Sequence, residues 1–294
     1  MLIEAFLNYL RFERNYSDKT IVAYEKDLRQ FEDYFKELDE NLDFACVDAD
    51  VVRLWIVSLM DQSKAKPASV NRKLSSLRSF YRFLLKKREV KVNPLSLVAG
   101  PKKVRPLPSF LQAGDMERLL DGIPWSGEFE GCRDRLILEM FYVTGMRLSE
   151  LIGLVDANVD FSARQIKVTG KRNKQRLIPF ADELAFDMLE YIKIRNETIP
   201  ERSDSFFILE NGKRMYPGKV YEIVKRNLSK VVTLKKRSPH VLRHTFATAM
   251  LNNQAELEVV RDLLGHKSLA ATEVYTHATF EELKKVYQQA HPRA

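Results

Sequence analysis

For its first 99 residues this chain has no glycine and only two prolines, Pro67 and Pro94. Without glycine a backbone has few cheap ways to turn tightly, and with so little proline almost nothing interrupts a helix. The segment is therefore committed to helices. Apolar residues confirm the period in four runs: Ile3, Phe6, Leu7, Leu10; Ile21, Tyr24, Leu28, Phe31, Phe35; Val52, Trp55, Ile56, Leu59; and Val70, Leu74, Leu77, Tyr81, Leu84. Four amphipathic helices follow, with Ser17 and Asp48 placed as N-caps of the second and third and Pro67 in the first turn of the fourth.

The rest of the chain has a different character. Residues 93–108 carry four prolines and no helical period, which predicts an extended basic linker. A helix is expected over about 131–144, stopped by Gly145, with a short helix from about Arg147. Residues 164–180 read as a β-hairpin turning through Gly170-Lys171, and helices are expected at about 182–197, 216–231, 239–253, 256–264 and 280–290. The fold class is thus mainly α with a small β-sheet. The division is an N-terminal four-helix domain over 1–92, a linker over 93–108 and an α+β domain over 109–294, a length that suits two domains.

The formal net charge of +8 favours a polyanionic partner, and its placement says more. Residues 1–63 hold 7 Lys/Arg against 14 Asp/Glu, whereas residues 64–105 hold 13 against Glu89 alone. Further basic stretches follow at 164–176 and 213–237. On the fourth helix, the face away from the apolar stripe carries Arg72, Ser75, Ser76, Ser79, Arg82 and Lys86. Short hydroxyls let a helix approach a DNA groove while long cations reach phosphates; a helix made soluble by charge reads the same way. Lys102 and Lys103 in the linker, and Arg172 and Lys174 at the hairpin, extend the set of candidate DNA contacts. Two cysteines, Cys46 and Cys132, make neither a disulfide framework nor a zinc site. No signal peptide or membrane-spanning run is evident, so a cytoplasmic protein with no membrane partner is expected.

Four of the five histidines fall between 240 and 277. Ser238-Pro239 caps a helix whose first turns carry His240-Val-Leu-Arg243-His244, setting an imidazole and a guanidinium one turn apart near a positive helix end that favours an anion. The His240/His244 spacing also matches a zinc-protease helix, but the glutamate that motif needs is Val241, so no metal is assigned. A phosphate in its pentavalent transition state needs a second guanidinium, and Thr144-Gly145-Met-Arg147-Leu-Ser-Glu150 supplies Arg147 after a tight turn. Arg147 and Glu150 alone would pass for an i,i+3 surface pair. A departing sugar oxygen needs a proton, for which Lys171 on the hairpin tip is the candidate and Lys174 its rival. Tyr275, nine residues after His266, is the candidate nucleophile, a weak one unless imidazoles and guanidiniums surround it.

Taken together, these segments resemble the tyrosine recombinases, or phage integrase family, and its Xer-like members most closely. The likeness runs the whole length: a four-helix clamping domain, a Pro-rich linker, Thr144-Gly-Met-Arg147-Leu-Ser-Glu150, the hairpin Lys171, His240-Val-Leu-Arg243-His244, Leu264-Gly-His266 and Tyr275-Thr-His277. The one departure is Met146 where a leucine is common. The resemblance implies a SAM-like core-binding domain, then a catalytic domain in which Tyr275 forms a 3′-phosphotyrosine. Arg147, Arg243 and His266 would stabilise the transition state, Lys171 would protonate the leaving 5′-oxygen and His240 would take the phenol proton. Glu150 and His244 would orient these groups. It implies no cofactor, a double-stranded DNA recombination site as substrate, and a homo- or hetero-tetramer with a related recombinase that passes through a Holliday junction. A DNA translocase or accessory protein fits as a further partner. Helix 280–290 would dock on a neighbouring subunit or fold back on its own.

Chromosome dimer resolution is the expected role, with a mobile-element integrase as the alternative. A type IB topoisomerase would share the chemistry but not the demand for two defined sites. A catalytically silent DNA-binding protein would lack a reason to keep every one of these side chains.

Overall fold

The computed structural model describes residues 2–102, 110–170, 174–234, 236–265 and 277–294, without the side chains of 277–279. The chain divides into two compact units, Met1–Pro106 and Leu107–Ala294.

In the first unit the four expected helices form: α1 (Leu2–Asn8), continued by a π-helical turn through Glu13, then α2 (Asp18–Leu38), α3 (Ala49–Asp61) and α4 (Pro67–Lys87). Asp48 caps α3 by accepting the N–H groups of Asp50 and Val51, both at 2.9 Å, a cap that stabilises by about 1 kcal/mol. Ser17 occupies the N-cap of α2, but its hydroxyl pairs with that of Thr20 instead of the backbone. Where other chains would use glycine, Asn15, Lys64 and Arg88 take the left-handed conformation themselves, Arg88 ending α4. Rings fill the core: Phe31 lies 4.7 Å from Trp55, and Phe44 4.9 Å from Phe80.

Two sequence expectations are corrected here. Leu95 and Val98 are buried in this core, Arg78 donates to the Val98 carbonyl at 2.8 Å, and Asn71 donates to that of Pro101 at 2.8 Å. The first part of the segment read as an extended linker is thus strapped to the four helices. Ser76, placed by sequence on the outward face of α4, is buried. The apolar stripe of α4 is wider than its period suggested because Phe80 and Phe83 are buried beside it, and α4 packs against α1, α2 and α3.

The second unit contains α5 (Ala113–Leu120), α6 (Phe129–Thr144), α7 (Leu148–Ile152), and an antiparallel sheet in the order β1 (Val159–Asp160), β2 (Gln165–Thr169), β3 (Gln175–Pro179). Then come α8 (Asp182–Thr198), α9 (Pro217–Val231), α10 (Pro239–Asn252), α11 (Leu257–Leu263) and α12 (His277–Ala290). Neither α5 nor β1 was anticipated. α6 is the central helix, buried continuously from Leu136 to Thr144 and packed on α8 and α10. α12 folds back on its own unit against α10, α11 and β3, burying Leu283, Tyr287 and Ala290. Beyond it His291 is stacked between Phe246 and Tyr287, and Arg293 pairs with Glu139 at 3.3 Å.

Candidate active site

α6 ends at Gly145, whose φ of 58° is left-handed. A Cβ there would lie 2.5 Å from the Phe246 ring and 2.9 Å from Leu264, so glycine is required on two counts. The turn buries Met146 and delivers Arg147 to the N-cap of α7. Glu150, one turn on, is buried and accepts four hydrogen bonds, two on each oxygen. Arg147 gives its backbone N–H at 2.7 Å and Nη1 at 2.8 Å; Arg176 on β3 gives Nη1 at 2.5 Å and Nη2 at 2.9 Å. The pair that alone would pass for a surface contact is therefore part of a larger cluster, with Glu150 buried at its centre and Arg147 partly exposed.

Arg243, on the second turn of α10, is buried and completes that cluster. Its Nη1 donates to the Gly145 carbonyl and its Nη2 to that of Leu264 at 2.7 Å. Arg176 Nε reaches the Leu263 carbonyl at 3.0 Å, and Arg147 Nη2 that of Gly265 at 2.9 Å. Three consecutive carbonyls at the end of α11, which a helix leaves without internal partners, thus each receive a different guanidinium. The chain entering His266 is pinned on the same arginines that surround Glu150.

Three guanidiniums around one carboxylate leave an excess of positive charge. Burial, then the charges of Arg147 and Arg176, lower the pKa of Arg243 to about 10. Burial opposes the ionisation of Glu150, but Arg176 and then Arg147 outweigh it and hold the carboxyl below its ordinary range. Such a cluster is an anion receptor whose charge is fixed before any anion arrives. His240 is exposed at the start of α10 with its ring 6.5 Å from that of His244. Partial burial, followed by His244, Arg243 and Arg147, lowers its pKa, so it is neutral and able to accept a proton at neutral pH.

Of the residues singled out by sequence, Arg147, Glu150 and Arg243 are brought together here, with His240 and His244 on the adjoining helix end. Lys171, Arg172, His266, Tyr275 and Lys103 lie outside the described residues. Gly170 and Gly265, the described residues before Lys171 and His266, lie at the cluster. A Cβ on Gly170 would sit 3.3 Å from Glu150 Oε1, and one on Gly265 would sit 3.1 Å from Arg176. The Gly170 N–H closes the hairpin turn on the Lys174 carbonyl at 2.7 Å. Arg176 was missed by sequence reading, which counted it only in a basic run; alternation from the buried Ile178 along β3 was the signal for it. In the first unit Arg72, Arg82 and Lys86 are exposed on α4, and Lys102 and, in the second unit, Lys174 are exposed. Ser79 is half-buried against Tyr24, and Ser76 donates to Asp27 at 2.8 Å, so Ser76 is removed from the candidate DNA contacts.

Compared with known proteins, residues 109–282 match the phage integrase family and residues 3–88 its N-terminal SAM-like domain. A tyrosine recombinase XerC of Chlorobaculum tepidum is 39% identical over 98% of this chain and 94% of its own length. A protein of the same name from Halalkalibacterium halodurans is 41% identical over 99% and 97%. The fold is shared with the XerH site-specific recombinase bound to palindromic difH substrate in a post-cleavage complex, at TM-score 0.72 and 24% identity, covering 92% of this chain and 80% of that one. It is also shared with the Tn1549 transposon integrase in complex with transposon right end DNA, at TM-score 0.72 and 20% identity, covering 97% and 98%.

Proposed function

Because the chain belongs to the phage integrase family, the tyrosine recombinases, we propose that Tyr275 attacks a DNA phosphodiester held by Arg147 and Arg243. The protein is a tyrosine site-specific recombinase, an enzyme that breaks and rejoins DNA strands. In the proposed step the phenol oxygen bonds to phosphorus while the bond from phosphorus to the 5′-oxygen breaks. The phenol proton passes to His240, and Lys171 gives a proton to the departing 5′-oxygen. Arg147, Arg243 and His266 take up the charge that develops on the non-bridging oxygens. The 3′-phosphotyrosine conserves the energy of the broken bond, so a 5′-hydroxyl from a second duplex reverses the step with no nucleotide cofactor.

The observation that carries this reading is the convergence of Arg147, Arg243 and Arg176 on Glu150 and the carbonyls of residues 263–265. It supplies a charged, preorganised seat for a phosphate directly before His266. Two such sites exchanging strands through a Holliday junction call for four subunits, which we assign to copies of this chain or of a related recombinase. The names of the relatives favour a chromosomal, XerC-like role over that of a mobile-element integrase. Sequencing DNA recovered with the protein from cells tests the role: a single chromosomal palindrome-like site supports it, and element ends refute it.

The chemistry is tested with a nicked suicide duplex that traps covalent protein–DNA adducts. The wild type accumulates adduct and Tyr275→Phe forms none; adduct from the phenylalanine variant would remove Tyr275 as nucleophile.

A further inference from the structure

Beneath the exposed face of α4 lies a buried carboxylate that the chemistry above does not use. Asp27, on α2, is 1% exposed. Among the described residues all of its donors come from α4: Arg72 Nη1 at 2.5 Å and Nη2 at 2.7 Å, Ser76 Oγ at 2.8 Å, and Lys73 Nζ at 3.3 Å. Lys73 is held further by Gln30 of α2. The joint between these helices does not need a charge, because Leu28 and Phe31 on one side and Leu74 and Leu77 on the other are already buried there. A buried ion pair adds little to stability that apolar packing would not. What the arrangement does supply is direction.

Arg72 is gripped across its Nη1/Nη2 edge while its side chain remains 52% exposed. Its Nε–H and the outward hydrogens of its guanidinium have no partner among the described residues and are held in one orientation by that grip. Ser75, exposed one turn further along the same helix, is short enough to let a duplex approach. Arg82 and Lys86 share the exposed face but have no carboxylate partner among the described residues: Arg82 donates to the Arg78 carbonyl of its own helix, and Lys86 lies over the Tyr9 ring. A phosphate is satisfied by any cation within reach. The edge of a guanine demands donors at a set angle.

We propose that Asp27 is a positioning residue that aims Arg72 at a guanine in the major groove of the recombination site, while Arg82 and Lys86 bind phosphates. This rests on α4 facing the DNA. It makes Arg72 a determinant of sequence specificity and gives Ser76 the task of holding Asp27 in place.

The test uses the full-length protein and duplexes bearing the recovered site with each base pair substituted in turn, with Kd measured by fluorescence anisotropy at several salt concentrations. Arg72→Lys, which keeps the charge on an exposed side chain, is expected to lose discrimination of about 5- to 150-fold at one G·C pair while leaving the salt slope unchanged. Asp27→Asn is expected to lose discrimination at that same pair although it never touches DNA. If Asp27→Asn does not fold, Ser76→Ala, which removes one bond to Asp27, is read in its place and gives a smaller loss at that pair. A double Arg82→Gln, Lys86→Gln variant is expected to bind every duplex more weakly with a shallower salt slope. The proposal is overturned if Arg72→Lys keeps the full base profile, or if the Asp27 or Ser76 variant weakens all duplexes alike. Should the double variant also leave affinity and slope unchanged, α4 is not on the DNA and the wider reading of this face fails with it.

Discussion

Glu139 and Glu150 stand eleven residues apart in the same unit, both buried, both hydrogen-bonded to arginine, and they behave in opposite ways. Glu150 meets the guanidiniums of Arg147 and Arg176 with no second acid beside it among the described residues, and its carboxyl is held below the ordinary range. Glu139 meets Arg135 at 3.2 Å and Arg293 at 3.3 Å but shares Arg135 with Asp187, and burial together with that neighbour raises its pKa to about 8. Burial alone does not decide whether a carboxylate is charged. The count of cations against anions in its cage does, and the cage with surplus cations is the one at the candidate active site.

The sharpest test of the contrast is Glu150→Gln. Every bond Glu150 makes among the described residues is accepted, two on each oxygen, so an amide nitrogen would point a donor at a guanidinium and leave three clustered guanidiniums without their shared counter-charge. Stability is expected to fall by about 3–5 kcal/mol, the cost of removing one partner of a buried pair. Single-turnover DNA cleavage should fall by about 100-fold or more as Arg147 and the 263–265 carbonyls lose their common anchor. Urea unfolding and suicide-substrate kinetics measure the two effects. A variant as stable as the wild type would mean that Glu150 is not the keystone of the cluster.

Glu139→Gln should show none of this loss, because glutamine resembles the protonated acid that prevails in the folded state at pH 6. The sign follows from the raised pKa. Between about 4.5, the ordinary value, and about 8, the folded state holds a proton that the unfolded state has released, so stability from this group falls as pH rises, by at most about 1.4 kcal/mol per pH unit. Glu150 runs the other way: its contribution is present above 4.5 and is lost as pH falls through its lowered value. Thermal unfolding followed from pH 4 to 9 should show Glu139→Gln matching the wild type near pH 4 and exceeding it by a margin that grows up to about pH 8. Equal loss at both ends of that range would place Glu139 in the same class as Glu150.

The sequence made some of this legible for identifiable reasons. The four N-terminal helices could be read because each has one apolar and one wet face, and α6 because Gly145 marks its end even though its burial is nearly all-round. α5 was hidden by its eight residues and a glycine at its second position, and β1 by its two residues. Pro-rich composition suggested a free linker where Leu95 and Val98, two visible apolar residues, fasten the chain to the first core. Arg147 and Arg243 could be named from their motifs. The role of Arg176 could not, because its partners lie 26 and 87 residues away and no local period links a strand to them. Ser76 failed for a related reason, since the charge that buries it sits on another helix.

The smallest expected effect separates the two causes acting on Glu139. Asp187→Asn removes the competing anion but leaves the cavity, Arg135 and Arg293 in place. Because burial is the larger cause and Asp187 the next, the Glu139 carboxyl should stay above 4.5 yet titrate below 8, and the descending limb of the stability profile should shift to lower pH by less than in Glu139→Gln, where it disappears. With Glu139 ionised at neutral pH, its hold on Arg293 strengthens and the chain end beyond α12 should exchange its amide hydrogens more slowly. Carbon-13 titration of the Glu139 carboxyl and hydrogen exchange at residues 291–294 report both. An unmoved titration would show that desolvation acts alone, and that the contrast with Glu150 comes from the number of cations and not from the neighbouring acid.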